Sequence, residues 1–161
     1  MLTASLVVWI LTALFGFSML VIWIRERGRQ QQGSGEIRSA LIFTHFGLAA
    51  SGLILWIVYF IGDASVVGWL AFVLLVTAAV MGFVMFGFWL QQRQSAVRSG
   101  ADVAALSSTA ERRFPAPVVA IHGILAATTI VLVLLVNLGI GESDEESLGL
   151  LHVISHIALL M

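Results

Sequence analysis

The chain has 161 residues, 60% of them hydrophobic and only 11% charged, with a mean hydropathy of +1.03 and a formal net charge of −1. This composition excludes an ordinary soluble domain and points to a membrane, with the lipid bilayer as first partner and no nucleic acid expected. Cysteine is absent, which excludes disulfides, thiolate metal sites, iron–sulfur clusters and thiol catalysis.

Four segments approach the roughly 20 apolar residues that a bilayer core requires: about Leu2 to Ile24, Ser39 to Ile61, Val66 to Leu90 and Pro115 to Leu138. The expected fold class is an all-α membrane protein, a four-transmembrane-helix bundle with a short C-terminal surface helix. Met1 leads straight into apolar sequence, without a positive n-region or a small-residue cleavage site, so the first helix is expected to be retained. After it comes the polar loop "RERGRQQQGSGEIR". Between Ile61 and Val66 a very short turn with Gly62 and Asp63 makes the second and third helices antiparallel neighbours. The connection "QQRQSAVRSGADVAALSSTAERR" has room for a short surface helix around Ala101 to Leu106. Residues 1–141 thus form one transmembrane domain, and 142–161 form an acidic linker, "ESDEES", with a short amphipathic helix, "LGLLHVISHIALLM".

Lysine is absent, and all eight arginines (Arg25, Arg27, Arg29, Arg38, Arg93, Arg98, Arg112, Arg113) fall in the connections after the first and third helices. Those connections are expected on the cytoplasmic side of an inner or plasma membrane, with both termini outside. Asp63, Glu142, Asp144, Glu145 and Glu146 occupy the other side. Trp9, Trp56 and Trp69 near the outer interface, with Trp23 and Trp89 near the inner one, read as aromatic belts.

The chain also repeats itself. His45, Leu48, Ala49, Ala50, Ser51, Leu53 and Gly62 align without a gap with His122, Leu125, Ala126, Ala127, Thr128, Ile130 and Gly139. "GFSMLVIWIRER" from Gly16 aligns with "GFVMFGFWLQQR" from Gly82. A duplicated helix–loop–helix unit follows, about 1–62 and 66–139, whose copies share one orientation and a pseudo-twofold axis along the membrane normal. Each of His45 and His122 lies roughly seven residues, or about 10 Å, past the inner end of its helix, so the pair shares one depth. These are the only ionisable side chains inside the four expected spans, and such residues are functional candidates. Two histidines at one depth on symmetry-related helices can converge on a shared ligand.

The stripe 45, 49, 52 reads His, Ala, Gly, and 122, 126, 129 reads His, Ala, Thr. Ala49, Gly52, Ala126 and Thr129 therefore leave room for a flat macrocycle, although close helix packing uses the same small residues. On the partner helices Gly16 with Met19, and Gly82 with Met85, lie at about the histidine depth; glycine permits close approach and methionine is an adaptable apolar contact. Two neutral imidazoles supply the axial ligands of a low-spin haem, with haem b the leading cofactor and a chlorophyll-type tetrapyrrole, or none, the alternative. Thioether-bound haem c is impossible without cysteine. Arg38, Arg112 and Arg113 flank the histidine-bearing helices and could pair with propionates, or serve only as topology signals.

At "THFG" and "IHGI" the chain resembles transmembrane b-type cytochromes built as four-helix bundles, a resemblance of architecture from Leu2 to Leu138. It implies electron transfer, commonly between a quinone pool and another redox centre, within a larger complex of membrane subunits. The single intramembrane histidine pair suits one haem. His152 and His156, four apart on "LLHVISHIALL", would share one helical face and form a second, weaker candidate metal site.

Three function classes remain. One is a haem b electron carrier; another is a non-catalytic accessory subunit of a respiratory or photosynthetic complex, with pigment-binding or purely structural histidines. A transporter is disfavoured, because no acidic or basic pathway residue lies in the spans. No nucleophile–base pair, carboxylate dyad or phosphate loop is present, so an independent enzyme is not expected.

Overall fold

A computed structural model of the protein describes residues 1–29, 39–98 and 115–140, and these are almost entirely helical. The elements are α1 (Leu2–Arg29), α2 (Ser39–Gly62), α3 (Ser65–Arg98) and α4 (Ala116–Asn137), and each contains a stretch long and apolar enough to cross a membrane. The expected surface helix near 101–106, the linker and amphipathic helix of 142–161, Arg38, Arg112, Arg113, His152 and His156 lie outside the described residues.

Local chemistry sets the helix ends. Pro115 caps the start of α4, extended at φ −61 and ψ 124, and Pro117 follows in the first turn, where the N–H that proline lacks would have had no helical partner. It stops in a Schellman motif: Gly139, at φ 68, donates its N–H to Val136 O at 3.0 Å, and Ile140 donates to Leu135 O at 2.9 Å. In the turn between α2 and α3, Gly62 stays helical, and Asp63 takes the left-handed conformation at φ 52. Aspartate is among the few side chains that tolerate it. α3 runs eight residues past the expected end at Leu90, to Arg98. No glycine or proline interrupts "QQRQSAVR", so the helix continues through it. Its 34 residues span about 50 Å, more than the roughly 30 Å hydrocarbon core.

α1 packs on α2 and α4, α3 packs on the same two, and the closest-packed pairs are α2 with α3 and α1 with α4. α2 and α4, which carry the histidines, are therefore diagonal partners. The end where α1 and α3 finish and α2 and α4 begin carries Arg25, Arg93 and Arg98, and is called the arginine end below.

Towards the opposite end all four helices contribute to one core of Trp9, Trp56, Tyr59, Ala71, Leu75, Val133 and Val136. A smaller cluster, Leu20, Trp23 and Ile42 with Leu41 and Met85 against it, lies towards the arginine end. Large apolar side chains such as Leu14, Ile54, Phe83 and Ile124 point outward over the perimeter, as lipid contact requires. Lipid is as apolar as these side chains, so helix association depends on close packing and interhelical hydrogen bonds. Thr12 and Thr129 supply one such bond, with hydroxyl oxygens 3.1 Å apart between α1 and α4. The indole of Trp56 donates to Ser5 Oγ at 3.2 Å.

The aromatic-belt reading needs correction. Trp69 is 40% exposed, but Trp9, Trp23, Trp56 and Trp89 are buried inside the bundle. The sequence places each tryptophan along its helix; the face of the helix, decided by packing, turned four of the five inward.

Candidate functional site

Each histidine leans on a neighbouring helix in the same way. His45 on α2 has Nδ1 2.8 Å from the carbonyl oxygen of Ala78 on α3. His122 on α4 has Nδ1 3.0 Å from the carbonyl oxygen of Thr12 on α1. A carbonyl oxygen only accepts, so in both rings Nδ1 carries the proton, and the neutral imidazole keeps its lone pair on Nε2. Metal-ligating histidines show this arrangement: one nitrogen donates to a carbonyl, which fixes tautomer and ring orientation, and the other is left to coordinate.

One turn from each acceptor stands a glycine that admits the ring. A Cβ on Gly82 would come 3.2 Å from His45 Cε1, and one on Gly16 would come 3.0 Å from His122 Cε1. The sequence suggested these glycines as places where a ligand approaches the backbone; the group they admit is the imidazole edge. Thr12 and Ala78, whose carbonyls anchor the rings, had no side-chain chemistry to reveal them. The available signal was positional: they occupy matching places four residues before Gly16 and Gly82.

The remaining candidates divide by depth. Gly52 faces Trp9 and α3: a Cβ there would meet Trp9 Cζ2 at 3.2 Å and both Ala71 O and Leu74 Cβ at 3.4 Å, so the glycine serves helix packing. Thr129 is fully buried and hydrogen-bonded to Leu125 O at 2.8 Å as well as to Thr12. Ala49 and Ala126, one turn from the histidines, are half-buried, as are Met19 and both imidazoles. Met85 packs against the Leu20, Trp23 and Ile42 cluster.

Burial changes sharply along the bundle. Trp56, Val133, Thr129 and Ser5 are fully buried beyond the histidine layer, whereas at that layer His45, His122, Gly16, Gly82, Ala49 and Ala126 all keep part of their surface accessible. Among the described residues no three histidine, aspartate or glutamate side chains come together as a metal cluster. The nitrogen donors these helices offer at this layer are the two imidazoles, His45 and His122. Comparison with protein-family models, with curated proteins and with solved structures returned no match.

Proposed function

We propose that this chain is a membrane electron carrier in which His45 and His122 are the axial ligands of one haem b, working as a subunit of a larger redox complex. The observation that carries the reading is the pair of Nδ1-to-carbonyl hydrogen bonds, His45 to Ala78 and His122 to Thr12, which put the proton on Nδ1 and so leave a lone pair on each Nε2 for a metal. A haem held there supplies one-electron chemistry at iron, its potential set by ligand identity, burial and hydrogen bonding.

The protein's own residues do the rest. Ala78 and Thr12 hold the rings in one tautomer, Gly82 and Gly16 let them lie against the neighbouring helices, and the Trp56–Val133–Thr129 layer excludes water from one side. The matched anchors support a duplicated two-helix unit, with a pseudo-twofold axis along the membrane normal relating α1 to α3 and α2 to α4. The arginine end is assigned to the cytoplasmic side by the positive-inside rule, with both termini outside. Other membrane subunits, and a quinone as electron donor or acceptor, are the partners this role implies.

The test is a visible spectrum of the purified full chain, oxidised and then dithionite-reduced. A sharp reduced α-band of b type is expected. Chlorophyll bands would favour the pigment-binding accessory subunit, and a protein that stays colourless after incubation with haem would overturn the reading.

A further inference from the structure

Trp23 and Trp89 stand seven residues beyond Gly16 and Gly82 on their helices, but their surroundings differ. Trp23 meets Phe43 edge-on, with ring centroids 5.9 Å apart. Trp89 is 8% exposed, and among the described residues its buried Nε1–H has no hydrogen-bond partner. Phe86 stacks on that indole at 5.6 Å, and the guanidinium carbon of Arg93 lies 4.8 Å from its centroid.

Buried donors are ordinarily satisfied, because an unmet N–H in apolar surroundings is costly. The position of this one suggests its purpose. Gly82, Met85 and Trp89 recur at i, i+3 and i+7 and so share one face of α3. Gly82 on that face touches His45, and Met85 touches the interior cluster of Leu20, Trp23 and Ile42. The face is thus turned inward, and Trp89 lies about 10 Å along the helix from the histidine layer, on the arginine side. A buried N–H donor beside a guanidinium is a combination suited to a carboxylate. Arg93 alone would be an ordinary cation over an aromatic ring; the orphaned indole donor beside it is what calls for an anion.

We infer that Trp89 and Arg93 together hold a carboxylate of the macrocycle bound between His45 and His122, so that its acidic edge faces the arginine end. This rests on the haem reading above. It adds α3 to the sequence-based expectation that Arg38, Arg112 and Arg113 could pair with the propionates.

The test compares haem with its dimethyl ester, in which both carboxylates are blocked, titrated into the haem-depleted full-length protein in nanodiscs. Wild-type protein is expected to bind the diacid about tenfold or more tightly than the diester. Trp89→Phe and Arg93→Gln should each reduce that preference at least about threefold by weakening the diacid alone. Arg93→Gln carries the comparison by itself if the tryptophan variant does not fold. Equal binding of both compounds by wild type, or an unchanged preference in the variants, overturns the inference and leaves the histidine site standing. Failure of wild type to bind either compound with a low-spin spectrum overturns both.

Discussion

A Cβ placed on Gly16 would stand 3.0 Å from Cε1 of His122, closer than that ring can accept without moving. Gly16→Ala should therefore tilt His122 off the Thr12 carbonyl and weaken haem retention at least about tenfold, seen by haem titration. The expected effect of Gly82→Ala is smaller, because its contact with His45 is 3.2 Å. Alanine raises intrinsic helix propensity by about 1 kcal/mol, so loss of haem binding in a protein that is equally or more helical locates the effect at the site.

His45→Ala and His122→Ala should each convert a low-spin six-coordinate spectrum to high-spin or abolish haem retention. Met19→Leu and Met85→Leu should keep six-coordinate iron, because the two imidazoles supply both axial ligands and Met85 is a packing contact of the Leu20, Trp23 and Ile42 cluster. Electron paramagnetic resonance of the ferric protein reads the difference, and a low-spin signal surviving in either histidine variant would refute bis-histidine ligation.

Thr129→Val keeps the volume of a fully buried side chain but removes its hydroxyl, and with it the bond to Thr12. Interhelical hydrogen bonds in membranes average about 0.6 kcal/mol and reach about 1.7 kcal/mol. A loss in that range is expected in reversible unfolding from mixed micelles, with the haem spectrum intact.

Gly52→Leu distinguishes packing from ligand contact. The added side chain would enter the space of Trp9 and Leu74 and force α2 from α1 and α3, at a cost of about 1–3 kcal/mol. Thermal stability should fall while the folded fraction binds haem as wild type does. Full stability with impaired binding would make Gly52 a cofactor contact after all.

For topology, a cysteine introduced at Ser34 should react with an impermeant maleimide only from the cytoplasmic side. Labelling confined to the outside would invert the orientation drawn from the arginines.

The amino-acid sequence by itself determined the four spans, because an apolar run of about 20 residues is a local property that a bilayer reads directly. It also determined how far along their helices His45 and His122 lie, since distance along a helix is a count of residues at 1.5 Å each. What it left open was direction around each helix axis. That His45 binds a carbonyl of α3 while His122 binds one of α1, that Gly16 and Gly82 admit imidazole edges, that Gly52 packs against Trp9, and that four tryptophans turn inward were decided only by the tertiary structure. In helices apolar on every side the hydrophobic pattern marks no inner face, so side-to-side packing and a few hydrogen bonds between helices choose it.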